Sequence, residues 1–277
     1  MNSNTTERQI FLGKADELDG LLNLGFRIIP SLAIDINDTQ EGQSLQYAIA
    51  IFEKLLFHAI SLRRLLPPAE TVELSQWDLS SVCALSRCIL EAYEAMAYIA
   101  LHRVSKEEQA FRLVLWKAHD CERRLQMMCL VPDNDVTRGK QWLDGARAEL
   151  ENSLFFQRLD LKKQIWILKN LPPYHISHEL ICKASGVDYD YYNLAKMFMS
   201  QYVHTASFAL HHLSYHEPST EDGFRNLSVP VTHALVFLSK AITDIINRFC
   251  PSFTVTERES VMLSDYCFFT IGLGTST

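Results

Sequence analysis

Apolar residues recur at helical spacing through most of this chain, and clusters of polar and turn-forming residues interrupt them. Near the start, Phe11, Leu18, Leu21, Leu22 and Phe26 mark one face of a helix over residues 6–32. Asp, Asn and Thr between Ile34 and Glu41 read as a loop. A second helix follows over 43–66 and stops at Pro67-Pro68, since neither ring suits a helix interior. Asp78 is placed to cap a third helix running to about Arg103. Ser105-Lys106-Glu107-Glu108 has the form of a capping box, with the Ser hydroxyl taking a free N–H and a Glu reaching back. It opens a fourth helix to about Leu130, before the turn cluster Pro132-Asp133-Asn134-Asp135. Further helices are predicted over 136–158 and 161–171, with a short piece at 179–184. Asp188 then caps a long helix through His212. Residues 214–229 are polar and predicted to form a surface loop. Pro230 opens a helix to Cys250 at a position where its missing N–H costs nothing, and a last helix follows Glu257. Residues 272–277 read as a frayed tail.

The pattern therefore predicts an all-α protein, a single multi-helix bundle of about eight to ten helices. Residues 1–277 form one domain in this reading, with a core over 42–213, a loop over 214–229 and C-terminal helices over 230–270. Composition agrees. Of 277 residues 48% are hydrophobic, while 10 Gly and 9 Pro are too few for the turns of a β-sandwich or barrel. Net charge is −7, which argues against general nucleic-acid binding, because phosphate neutralisation needs Lys and Arg. The basic pairs Arg63-Arg64, Arg123-Arg124 and Lys162-Lys163 read as solvated helix faces. So does Trp116-Lys117-Ala118-His119-Asp120. The 7 cysteines are odd in number and lack C-x-x-C spacing, so reduced thiols in a cytoplasmic protein are expected. The N-terminal residues lack the pattern of a secretory signal. Residues 82–101 have the length of a membrane span, but Arg87, Glu91 and Glu94 lie near the middle, where charge is expensive. No membrane partner is expected.

Those three charges are also the start of the chemistry. Arg87, Glu91, Glu94 and Tyr98 fall along one face of the third helix. Asn193, Lys196, Ser200, His204, Ser207 and His211 fall along one side of the later helix. If the stripes meet, Glu91 and Glu94 oppose Lys196 and His204, and buried charges require such partners. Arg87, Glu91 and His204 are thus expected in one polar cluster, with Tyr192, Lys196, Ser200 and Glu94 as binding residues around it. Ser200 and His204 four apart do not make a triad, which also needs a hydrogen bond between them and an oxyanion hole. His175-Ile176-Ser177-His178 could chelate, but no third ligand is in sight, and no Glu-x-x-His repeats suggest a di-iron site. There is no Gly-rich phosphate loop, no G-x-S-x-G and no H-E-x-x-H. Neither metal nor cofactor is expected.

The segment Leu85-Ser86-Arg87-Cys88-Ile89-Leu90-Glu91-Ala92-Tyr93, with Tyr192 and Ser200-Gln201-Tyr202-Val203-His204, resembles a bacterial all-helical family of unknown function. That family carries an Arg-x-x-x-Glu helix and a later Tyr…Ser-x-x-x-His helix. The resemblance implies an α-helical fold of bacterial or phage origin and marks Arg87, Glu91, Ser200 and His204 as shared positions. It implies no activity. The HEPN ribonucleases are also helical, but their Arg and His sit closer together than Arg225 and His233 do, and Pro230 intervenes here. Only a composite of Arg87 and His204 would reproduce their chemistry. Two functions follow. One is a binding or interaction module taking a small anionic ligand or a protein partner. The other is a metal-independent ribonuclease-like or hydrolase effector, in phage defence, with RNA as partner.

Overall fold

The computed structural model describes residues 6–32, 39–67, 77–131, 135–204, 206–215 and 220–267. The expectations for residues 34–38, 132–134 and 272–277 lie outside them. The helices are α1 (Glu7–Leu32), α2 (Gln40–Leu65), α3 (Leu79–Met96), α4 (Lys106–Met128), α5 (Thr137–Asn152) and α6 (Leu154–Gln157). They continue as α7 (Leu161–Asn170), α8 (His178–Ser185), α9 (Tyr189–Val203), α10 (Ser207–Tyr215), α11 (Glu221–Phe249) and α12 (Glu257–Cys267). A π-helical turn, Ala97–Leu101, extends α3. The class is all-α, with no strand among the described residues, and the helix count exceeds the eight to ten expected.

Capping residues fix most starts. Thr39, Asp78, Ser105, Asp160, Ser177, Asp188 and Thr220 each accept an N–H of the first turn. Only half of the expected capping box forms: Ser105 accepts from the Glu108 N–H at 3.2 Å, while the Glu108 carboxylate goes to Arg112. Gly186 ends α8 at φ 66, a left-handed position that suits glycine.

Two apolar cores hold the helices. The larger draws on α1, α2, α3, α8, α9, α11 and α12, with the central α3 packed on α2, α9 and α11. The smaller is built by α4, α5, α6 and α7 around Phe111, Leu115, Leu150, Phe156 and Ile167. Helix α4 joins the two, since its Leu113 belongs to the first core and its Phe111 and Leu115 to the second. By length and composition, α2 and α11 are apolar enough to cross a membrane, but 67% of that stretch of α11 is buried in the protein.

Several boundaries differ from the sequence expectation. The loop expected through residue 229 is helical from Glu221, and Pro230 lies inside α11 rather than at its start. Thr220 caps the added turns, and Phe224 packs on Phe11 and Trp77, so burial of Phe224 and Leu227 outweighs the polar composition. The helix expected over 136–158 breaks at Ser153 into α5 and α6. The helix expected through His212 ends at Val203, where the Ala206 N–H reaches back five residues to the Gln201 carbonyl and leaves the α register. Phe26, placed on the core stripe of the first helix, is 40% exposed, and Ile28 takes the buried position instead.

None of the seven cysteines is joined in a disulfide. Burial pushes Cys83 and Cys182 each up to about 12. Since the thiolate is the reactive form, both should resist a disulfide reagent in the folded protein, whereas exposed Cys129 should react first. Rapid labelling of Cys83 or Cys182 without denaturant, located by peptide mapping, would contradict this packing.

Candidate functional site

Helices α3 and α9 lie side by side, and their polar stripes meet. At one end Arg87 reaches both its own helix and the end of the other. Its Nε donates to Glu91 Oε1 at 2.9 Å, and its Nη1 lies 3.5 Å from His204 Nε2. Arg87, Glu91 and His204 therefore share one cluster, as the spacing predicted. The cluster faces solvent: side-chain exposure is 22% for Arg87 and 41% for Glu91, and His204 is exposed at the C-cap of α9. Ser200 does not join it, because its hydroxyl donates to the Lys196 carbonyl at 2.6 Å. This leaves nothing of a Ser–His nucleophile.

At the other end of the furrow the groups are buried. Glu94 is 3% exposed and is met by the Nδ1 of His178, the first residue of α8. Tyr192, 2% exposed, lies beside Glu94, and its hydroxyl accepts from Lys196 Nζ at 3.1 Å. Burial and the adjacent Glu94 charge push the Tyr192 hydroxyl far above the ordinary tyrosine range, so it stays a donor. The expected opposition of Glu94 and Lys196 thus exists, with the Tyr192 hydroxyl between them. His204 meets Arg87 rather than a carboxylate. Tyr192 and Glu94 act as supports inside the protein, while Arg87, Glu91, Lys196 and His204 face outward. Beside this stripe Leu194 and Met197 are 62% and 58% exposed, so these neighbours are not core residues.

The sequence reading missed His178 as a partner of Glu94, and it missed a second buried polar cluster altogether. His175 and His178, spaced as a chelating pair, take different partners. Their rings diverge, with His175 2.8 Å from Tyr98 Oη by its Nδ1. Among the described residues no group of three or more His, Cys, Asp or Glu converges on a point. The segment carrying them starts where α7 ends at Leu171, whose left-handed backbone is followed by Pro172-Pro173 and whose carbonyl accepts from His119 at 2.7 Å.

That second cluster fills the seam between the two cores. The π-helical turn displaces the carbonyls of Tyr98 and Ile99 from the α ladder. Arg112, 2% exposed, donates to the Tyr98 carbonyl at 2.6 Å, and Gln109 donates to that of Ile99 at 2.6 Å. Arg112 also meets His102 Nδ1 at 3.1 Å and binds Glu108 through Nε at 3.0 Å and Nη2 at 2.5 Å. Burial, then the Arg112 charge, lowers His102 to about 4 and His175 to about 3. The signal for this cluster was present in Phe111-Arg112-Leu113-Val114-Leu115, an arginine inside an apolar run.

Comparison with known proteins finds no matching family model, no matching curated protein and no matching solved structure.

Proposed function

We propose that this protein is a cytosolic binding module that holds a small anionic group at Arg87 and His204. The observation that carries this reading is the approach of Arg87 Nη1 to His204 Nε2, 3.5 Å apart, from two different helices at the solvent boundary. Glu91 holds the Arg87 Nε and so orients the guanidinium fork. An oxyanion entering there replaces one weak contact with a donor from each side chain. The likeness to the bacterial helical family marks the same positions, with Ser200 as a structural neighbour.

The same approach favours a second reading. An imidazole beside a guanidinium is what metal-independent RNA cleavage needs, with His204 as general base and Arg87 on the phosphate charge. In that case the protein is an effector of the phage-defence type, with RNA as substrate.

One set of variants separates these. Arg87 and Glu91 are partly exposed at 22% and 41%, so their pair contributes at most about 0.5 kcal/mol, and Arg87→Ala and His204→Ala should melt close to the parent. Calorimetry with inorganic phosphate should then show saturable binding that weakens about ten-fold or more in each variant, with no RNA cleavage by any of the three proteins. If instead the parent cleaves RNA and His204→Ala loses roughly 10²–10⁴-fold in rate, the second reading replaces the first. A parent that neither binds phosphate nor cleaves RNA removes both.

A further inference from the structure

A groove of about 750 Å3 lies apart from the α3–α9 furrow, where α4 meets α2 and α5. Its walls carry three aromatic side chains, Tyr47 from α2, Trp116 from α4 and Trp142 from α5, together with Lys117, Arg123 and Arg124 of α4. Two motifs read from sequence as solvated faces, Trp116–Asp120 and Arg123-Arg124, thus line one concave surface. Trp116 is held from behind by Tyr174, ring centroids 6.0 Å apart at 28°. Trp142 is 46% exposed, so its ring is open to a ligand in the groove.

The charge is equally local. Arg124 is paired with Asp120 at 2.7 Å, but the hydrogen bonds of Lys117 and Arg123 go to neutral amide oxygens, those of Gln43 and Gln126. Two cations therefore keep their charge available beside three aromatic faces, on a chain whose net charge is −7. A purely apolar ligand would leave those cations unused, and an inorganic anion would leave the rings unused. A planar, aromatic, anionic ligand uses both.

We infer that this groove binds a nucleotide, with the base stacked against Trp142 and Trp116 and the phosphate on Lys117 and Arg123. Stacking on an aromatic face suits any base, and Arg and Lys supply the phosphate contacts. The volume falls within the range of about 300–1,000 Å3 usual for small-ligand sites. The inference stands apart from the Arg87–His204 reading, since the residues are different.

Calorimetry with AMP, adenosine, inorganic phosphate and a single-stranded oligo(dA), checked by tryptophan quenching, tests it. AMP should bind saturably and quench, and adenosine should bind at least several-fold more weakly. Trp142→Ala, at an exposed ring, and Arg123→Glu should each weaken AMP about ten-fold or more without changing the melting temperature, while Arg87→Ala should leave AMP binding intact. An oligonucleotide bound more tightly than AMP, with a steep salt dependence, identifies the ligand as a strand. Equal or weaker oligonucleotide binding identifies it as a free nucleotide. No saturable binding of AMP or oligonucleotide, binding indifferent to Trp142→Ala and Arg123→Glu, or inorganic phosphate binding as well as AMP in the Arg87→Ala background would overturn it.

Discussion

Arg112→Ala should lower the melting temperature by roughly 6–20 °C, the largest stability effect expected of any side chain named above. Arg112 is 2% exposed and its donors reach three residues, on the π-helical turn, at its end and on α4. It binds the Tyr98 carbonyl of the π-helical turn, His102 at the end of that turn, and Glu108 one turn back on α4. Its guanidinium also sits 4.4 Å from the centre of the Tyr98 ring. Truncation leaves the Glu108 carboxylate, 20% exposed, without its cation and the Tyr98 carbonyl without its donor. Removing one member of a buried ion pair costs about 3–5 kcal/mol, out of a total stability of about 5–15 kcal/mol. Each kcal/mol moves the midpoint of a chain this long by about 2–4 °C. Thermal melting followed by circular dichroism measures it. A midpoint within about 2 °C of the parent would mean that the seam is wet and that Arg112 is replaceable by water. Adding Glu108→Gln to the variant should recover part of the loss, because the uncompensated charge goes with it.

The contrast with Arg87 shows what the sequence could and could not reveal. Both arginines sit in apolar helical runs, four residues from a glutamate. For Arg87 the spacing was enough, because Glu91 lies on the same helix and His204 on a helix whose polar stripe had the same period. For Arg112 the spacing covers only Glu108; its other partners are a displaced carbonyl and the His102 imidazole at the end of the π-helical turn, and no local pattern announces that turn. The same limit explains Glu94. Its charge within an apolar helix pointed to a partner, but that partner, His178, comes from a segment placed by Pro172-Pro173 and the Leu171 turn, so periodicity does not connect them. Helix class and most caps were legible because they depend on neighbours in sequence. Helix ends such as Val203 and Ser153 were not, since tertiary contacts such as that of Tyr202 with His212 across the break decide them. The start of α11 was hidden for the opposite reason: Phe224 and Leu227 alone bring a polar segment into the core.

Mild acid should destabilise the protein well above the pH at which its carboxylates titrate, and the buried histidines set the window. Burial holds His233 down to about 4, and burial with the Arg112 charge holds His102 at about 4 and His175 at about 3. Unfolded, each ring titrates near 6.5. Above that pH both states are neutral and stability does not depend on these groups. As pH falls below 6.5 the unfolded chain gains protons that the folded protein refuses, so the equilibrium moves toward unfolding. The loss continues until the folded rings themselves protonate, near 4 for His233 and His102 and near 3 for His175. At about 1.4 kcal/mol per pH unit, one ring held from 6.5 to 4 accounts for about 3 kcal/mol. His102 and His175 share Arg112 and are not additive, so His233 is the cleaner probe. Its Nδ1 lies 2.8 Å from the Tyr191 hydroxyl and no charged group enters its shift. Urea unfolding from pH 8 to pH 4 should show a stability plateau above about 7 and a steep fall below 6.5, shallower in His233→Gln. Proton NMR should show the His233 ring unchanged through pH 5 in the folded protein. A His233 resonance titrating near 6.5 in folded protein would place that ring in water and refute the packing of α9 on α11 that buries it.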